Sequence, residues 1–218
     1  NVVDLCPVGA LTSKPYTFKA RPWELKSTET IDVHDALGSN IRIDARGRAV
    51  MRALPRIHEE VNEEWISDKT RHAVDGLSTN RLDRPYIKKN RKMVEATWAE
   101  AFELIAKKVK GLKGDQIAGL VGDLCDAESM YAFKAMMSSL GAKIDCRTDG
   151  SKVGAKQRAG YLFNSGVAGI DEADACLLIG SNPRHESPVL NARLRQRWLT
   201  RACKVASVGP EVDLSYKV

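Results

Sequence analysis

Paired cysteines are missing from this sequence. Five thiols are present, Cys6, Cys125, Cys146, Cys176 and Cys203, and no two lie closer than 21 residues. No C-x-x-C pair occurs, so local spacing assembles no complete metal site. A chain of 218 residues can bury a core without disulfides, and an odd thiol count suits a reducing compartment. Long hydrophobic runs are missing too. None approaches the roughly 18 apolar residues of a membrane span, so membrane association is expected only through partners. Neither G-x-G-x-x-G nor G-x-x-x-x-G-K-[ST] occurs, which removes the argument for a nucleotide site. No Ser–His–Asp or Cys–His arrangement has supporting spacing. Internal repeats and low-complexity segments are absent.

What remains is an ordinary globular composition, 43% hydrophobic and 28% charged. It leaves room for one sizeable core or two small domains. Net charge is +6, and the basic residues thicken in two places. Arg84, Lys88, Lys89, Arg91 and Lys92 form one cluster. Arg193, Arg197 and Arg201 recur every four residues, which places them on one helix face. Such a stripe can meet phosphate or an acidic surface, although a solvated face is the simpler expectation. No RNA- or DNA-binding motif accompanies it, so no nucleic-acid partner is expected. Glu59, Glu60, Glu63, Glu64 and Asp68 run along a polar segment with no apolar pocket to split their pKa values. A solvated or partner-facing surface is expected there.

Residues 1–26 read as the tail of a larger domain. Pro7, Pro15 and Pro22 break helix after the first turn. The stretch is too short to bury its own Val2, Val3, Leu5, Tyr16, Phe18 and Trp23, so it is expected to lie against other protein. Within 27–84, Ile41, Ile43 and Ala45 alternate with Arg42 and Asp44, which predicts a strand with the two sets on opposite faces. A turn around Gly47 and a second strand over Val50–Leu54 complete a small antiparallel sheet, followed by short helical turns around Trp65.

From residue 85 the character changes. Thr97-Trp-Ala-Glu100 has capping-box spacing, and a helix should follow with Ala101, Leu104, Ile105, Lys108 and Val109 inward. Ile117–Val121 predicts a strand. Asp126 should cap a helix that runs through Met137 and stops at Gly141. Lys143–Cys146 and Ala175–Ile179 read as further strands. Ser187-Pro188 predicts a helix with a hydroxyl cap, on which Leu190, Leu194, Trp198 and Ala202 share a face. Lys204–Val208 is a last strand. Strands alternating with helices imply an α/β class with a parallel, helix-covered sheet over 85–218.

Two stretches carry candidate chemistry. In ferredoxin-type sites a remote cysteine followed by proline joins three clustered ones on iron. Cys6-Pro7 fits that pattern, and Gly9-Ala10 lets backbone approach a bulky cluster. A buried structural thiol accounts for the pair equally well. Leu178-Ile-Gly-Ser-Asn-Pro-Arg-His-Glu-Ser-Pro-Val is a strand, a glycine turn and a helix start. Helix-start amides there could cradle a phosphate, but a plain strand-to-helix connection is the simpler expectation. His34, His58, His72 and His185 each read as structural.

The longer stretches are more specific. Val3-Asp-Leu-Cys-Pro-Val-Gly-Ala-Leu-Thr-Ser-Lys-Pro-Tyr and Arg21-Pro-Trp-Glu-Leu closely resemble the large iron–sulfur subunit family of respiratory complex I, the proton-pumping NADH:quinone oxidoreductase. So do Asn62-Glu-Glu-Trp-Ile-Ser-Asp-Lys-Thr-Arg71, Asp75-Gly-Leu77, Ile179-Gly-Ser-Asn-Pro-Arg184 and Pro188-Val-Leu-Asn-Ala-Arg193. The resemblance implies that Cys6 is the fourth ligand of a 4Fe–4S cluster, with three partner cysteines upstream in a longer parent. That parent would also hold a 2Fe–2S cluster and a further 4Fe–4S cluster. It implies three parts. Residues 1–26 end a cluster-binding domain. Residues 27–84 resemble the small 4Fe–4S domain of molybdenum/tungsten oxidoreductases. Residues 85–218 begin a molybdopterin-oxidoreductase-like domain. In the middle part Val33, Ala36, Asn40 and Ser67 stand where cysteines would be, so no cluster is expected there, and no molybdopterin is expected in the last part.

The implied function is an electron relay from NADH-reduced flavin toward quinone, with Cys6 as ligand, the rest as scaffold and no catalytic side chain. Implied partners are the flavin/NADH-binding and quinone-side subunits of a peripheral arm. That arm lies on the cytoplasmic face of a bacterial inner membrane or on the mitochondrial matrix face. The alternative is a domain of a molybdenum/tungsten-bis-pterin oxidoreductase of formate dehydrogenase type.

Overall fold

A computed structural model describes residues 2–122, 124–146 and 157–218. It divides into two units, one of Asn1–Arg81 with Leu162–Val218 and one of Leu82–Tyr161.

The first unit opens with a single helical turn, α1 (Val2–Leu5), ended by Pro7. Three antiparallel strands follow in the order β1 (Lys26–Ile31), β2 (Asn40–Arg46) and β3 (Ala49–Pro55). The β2–β3 turn uses Gly47 at φ 59°, and a register shift at Asp44/Ala45 marks a bulge. The expected sheet is present, and on the face that carries Arg42 and Asp44 the Asp44 side chain is buried, 1% exposed. Its carboxylate accepts from Ser27 Oγ at 2.7 Å, Arg52 Nε at 2.7 Å and Arg42 Nε at 3.1 Å. Burial pushes that carboxyl up, yet Ser27, Arg52 and Arg42 together outweigh it and hold the group below the usual range. Alternation predicts which face a residue occupies, and here the polar face is itself covered. The Arg52 guanidinium lies 4.4 Å from the centre of the Tyr16 ring.

The tail is therefore fixed in part. Arg46 Nη1 donates to Lys19 O at 2.8 Å, and Arg71 pairs with Asp4 at 2.6 Å. Of its apolar residues Val3 and Tyr16 are half-buried, whereas Phe18 is 99% exposed, and Val2, Leu5 and Trp23 are also exposed, as the sequence led us to expect of a stretch too short to bury them. Ser67 Oγ caps α2 (Asp68–His72) by accepting from Thr70 N at 3.1 Å.

In the second unit, β4 (Tyr86–Lys89) and β5 (Lys92–Glu95) form a tight hairpin that was not foreseen. Helix α3 (Trp98–Val109) has the expected capping box: Thr97 N donates to Glu100 Oε2 at 2.8 Å and Glu100 N to Thr97 Oγ1 at 3.3 Å. Its expected inward stripe is only half formed. Ala101, Leu104 and Val109 are half-buried, whereas Ile105 and Lys108 are exposed. The unit's short strands offer too little apolar surface to cover a helix of 12 residues. Strands β6 (Ala118–Leu120) and β7 (Lys143–Asp145) pair in parallel across α4 (Ala127–Ser139), which Asp126 caps as expected. Helix α4 packs closely where Gly119 has no side chain: a Cβ there would meet Phe133 at 2.5 Å and Met137 at 2.6 Å.

The chain then returns to the first unit. Strand β8 (Ala175–Ile179) leads through α5 (Pro183–Glu186) and α6 (Pro188–Leu199) to β9 (Lys204–Val208), and β8 and β9 pair in parallel. Parallel pairing with helical crossovers was expected, and it occurs as two two-stranded ladders, one in each unit. Helix α6 begins at Pro188 as expected, but Ser187 makes no side-chain cap. Ile41, Ala53, Ile66, Val189, Leu194 and Leu214 are core residues of this unit. Asn191 Nδ2 donates to Leu214 O at 3.1 Å and fastens the C-terminal segment.

The solvated stripe expected of Arg193, Arg197 and Arg201 is not formed. Arg193 is 5% exposed. Its guanidinium donates to Glu59 O at 2.6 Å, Glu63 Oε1 at 3.0 Å and Asp171 Oδ2 at 3.1 Å. Arg197 Nε reaches Ala173 O at 3.3 Å, and Arg201 lies past the helix end at φ 58°. Two carboxylates and a carbonyl replace the water that a buried guanidinium gives up. The same contact takes Glu63 out of the surface assigned to the acidic segment.

Candidate functional site

Cys6 follows the last residue of α1, where Pro7 turns the chain out of helix. Gly9 follows at φ 67°. The backbone N–H of Leu11 acts most strongly on the half-buried Cys6 sulfur, followed by that of Val8, with Ala10 and Gly9 adding to them. Burial works against these donors, and the donors prevail, so the Cys6 thiol is lowered from its ordinary value. Cys176 behaves oppositely: burial first, then the neighbouring Cys203, push its thiol up.

A thiolate is the form that binds iron, and backbone N–H donors to sulfur are the usual means of stabilising it. A Cys6 thiol lowered in this way fits one ligand of a 4Fe–4S cluster. Among the described residues no group of three or more His, Cys, Asp or Glu side chains could hold a metal ion alone. A cavity of about 330 Å³ is lined by Val3, Leu11, Tyr16, Pro22, Ala53 and Val74, among others.

Two of the positions aligned with cysteines in the middle part, Asn40 and Ser67, do other work, while Val33 is exposed. Asp32 N donates to Ser39 O at 2.8 Å, closing the 32–39 loop. Asp32 Oδ2 accepts from Thr70 Oγ1 at 2.6 Å, and Thr70 Oγ1 lies 2.8 Å from Ser67 Oγ. Asn62, fully buried, accepts from Asn40 N at 2.9 Å and donates to Trp65 O at 3.1 Å. Arg56 Nη2 donates to Asn40 Oδ1 at 2.6 Å. Ser67 and Asn40 are thus part of buried hydrogen-bond networks, and residues 25–75 contain no cysteine. These residues do not fit an iron–sulfur cluster. His34 is exposed, with its backbone N bound to Asp32 Oδ1 at 3.1 Å; His72 and His185 are exposed as well. His58 Nδ1 is buried without a partner, so the hydrogen bond expected of a structural histidine is not made at that atom.

The strand–glycine–helix segment is satisfied by its own chain. Gly180 turns at φ 60°. Asn182 N, the amide a phosphate would meet, donates to Glu186 Oε1 at 2.8 Å, and Ser181 Oγ donates to Glu186 Oε2 at 3.3 Å. Arg184 pairs with Asp213. An internal carboxylate occupies the cradle, so these residues do not fit a bound phosphate or pterin.

Comparison with known proteins decides the family. The family model for molybdopterin oxidoreductase matches residues 81–218. The chain belongs to the molybdopterin oxidoreductase family. In front of that match, a model for the NDSU1/NuoG-like 4Fe-4S domain of NADH-ubiquinone oxidoreductase matches residues 25–75. Over its whole length this molybdopterin-oxidoreductase-family chain is 52% identical to the G-type NADH-quinone oxidoreductase subunit of Rickettsia conorii, covering 33% of that protein. It is 50% identical to the mitochondrial NADH-ubiquinone oxidoreductase 78 kDa subunit of Candida albicans, with all of this chain and 31% of that protein aligned. It is also 50% identical to the 75 kDa subunit of Reclinomonas americana, over 99% of this chain and 33% of that protein. The chain spans about a third of the length of these relatives. The resemblance read from its motifs thus holds from end to end. The molybdopterin-oxidoreductase match describes a fold shared with these subunits and gives no support to the alternative of a molybdenum enzyme.

Proposed function

We propose that this chain is part of an iron–sulfur subunit of NADH-quinone oxidoreductase, the subunit that passes electrons from NADH-reduced flavin toward quinone. Cys6 is the fourth ligand of a 4Fe–4S cluster, and the other three thiolates come from residues preceding this stretch in the parent. The single observation that supports this is identity over the whole chain, 52% with the G-type NADH-quinone oxidoreductase subunit of Rickettsia conorii, and a Cys6 thiol lowered by the backbone amides that follow it agrees with a ligand role. A 4Fe–4S cluster, when bound, takes up and gives back one electron. This chain's residues hold one sulfur, offset its negative charge with amide dipoles and exclude helix from the ligand position. Residues 1–26 close a cluster-binding domain. Residues 27–84 and 85–218 are scaffold, with no catalytic side chain, no molybdopterin and no second cluster within them. Partners are the other peripheral-arm subunits, including the flavin/NADH-binding and quinone-side ones. Among the described residues no helix is long and apolar enough to cross a membrane. We assign the arm to the cytoplasmic face of a bacterial inner membrane or the corresponding matrix face in mitochondria.

The test is Cys6→Ala in the full-length protein, assembled in its complex and read by low-temperature electron paramagnetic resonance. One 4Fe–4S signal should disappear while the others persist. An unchanged set of signals would refute the ligand assignment. Cys6→Ser, read alongside by thermal unfolding, separates loss of the ligand from loss of the fold.

A further inference from the structure

The β4–β5 hairpin breaks two rules of its own stability at one place. Its two-residue turn, Asn90-Arg91, has φ 50° and φ 64°. Both central residues of such a turn are left-handed, which favours glycine after asparagine. Arg91 carries a Cβ there and is strained by it. Immediately beside the turn, Lys89 faces Lys92 across the ladder. Like charges directly opposite one another oppose pairing. Local rules broken together without a structural return mark positions kept for function.

What the sequence retains in exchange is charge. Lys88, Lys89, Arg91 and Lys92 are all exposed at this end. The cluster seen in the sequence also included Arg84, but Arg84 is neutralised at the far end of the hairpin by Asp83 and Glu95, each at 2.8 Å. Glu100 of α3, which Thr97 first and Lys89 last hold below the usual carboxylate range, has its carboxylate committed to Thr97 N and Oγ1. The tip residues 88–92 include no aromatic side chain, and the exposed rings of Tyr86 and Trp98 line a cavity with Arg84, toward the other end of the hairpin.

We propose that the tip formed by Lys88, Lys89, Arg91 and Lys92 docks onto an acidic surface of a partner subunit. The inference rests on the subunit reading above. Complementary charge at such a rim sets the rate and salt dependence of association more than its ultimate strength.

The experiment uses the full-length subunit, wild type, Arg91→Gly, and a variant combining Lys89→Gln with Lys92→Gln. Thermal unfolding is read first, then retention of each in the complex on native gels from about 0.05 to about 0.5 M salt. Arg91→Gly should unfold at a higher temperature than wild type and yet dissociate more readily, with apparent affinity down about tenfold at intermediate salt. Equal retention of all three at every salt would overturn the proposal. So would Arg91-dependent binding of the subunit to phosphatidylglycerol vesicles with retention in the complex unaffected, since the acidic surface would then be lipid. If wild type itself joins no other subunit, the proposed function fails and the docking tip fails with it. Failure of the variants alone leaves the proposed function standing.

Discussion

Arg193 Nη2 lies 3.0 Å from Glu63 Oε1, and 130 residues of chain separate the two. The same guanidinium reaches Glu59 O and Asp171. One side chain on α6 therefore ties the region matched by the 4Fe-4S domain model to the region matched by the molybdopterin oxidoreductase model. Arg193→Ala removes three charge-assisted hydrogen bonds and should cost about 2–4 kcal/mol. Arg193→Lys should recover only part of this, because an ammonium lacks the planar fork. Urea unfolding of the three proteins measures both differences. A cost for Arg193→Ala within error of zero would show the contact to be idle.

Thr70 supplies the short hydrogen bond to buried Asp32 and a second contact to Ser67. Thr70→Val keeps shape and removes the hydroxyl, leaving Asp32 Oδ2 without this donor. The expected loss is about 1–3 kcal/mol. Thr70→Ser, which retains the hydroxyl, should stay within about 1 kcal/mol of wild type. The comparison is made by thermal unfolding at neutral pH, and equal losses for Val and Ser would contradict the network's role.

Asp44 sets a direction for acid unfolding. Its folded pKa is depressed below the ordinary carboxylate value because Ser27, Arg52 and Arg42 outweigh burial. The unfolded chain therefore binds this proton more readily than the folded one. The stability contributed by Asp44 is fully present above the unfolded pKa, about 4, and is lost as pH falls through the folded value. Asp44→Asn should flatten the stability curve below about pH 4 and lower stability on the neutral side. Unfolding followed between neutral pH and strong acid reads both effects; a wild-type curve retained by the variant would exclude Asp44 as the source.

Much of this fold is legible from local chemistry. Thr97 with Glu100, and Asp126 with Ser129, announce their helices because a cap involves neighbours in sequence. The strand at Ala175–Ile179 follows from an unbroken apolar run. What escaped was long-range compensation. Asp44 and Arg193 look like surface residues until partners 8 and 130 positions away are known. The β4–β5 hairpin was hidden because arginine stands where a turn of this kind ordinarily has glycine. At the candidate site the motif singles out Cys6, whereas the lowering of its thiol by the amides of Leu11 and Val8 depends on how the following loop is folded.

The carboxylate of Glu186 has a consequence for how the chain folds. It closes the turn after β8 through contacts encoded in the polypeptide itself, to Asn182 N and Ser181 Oγ. Because those partners lie within five positions of it, closing that turn is a local event in folding that needs no distant segment to be in place.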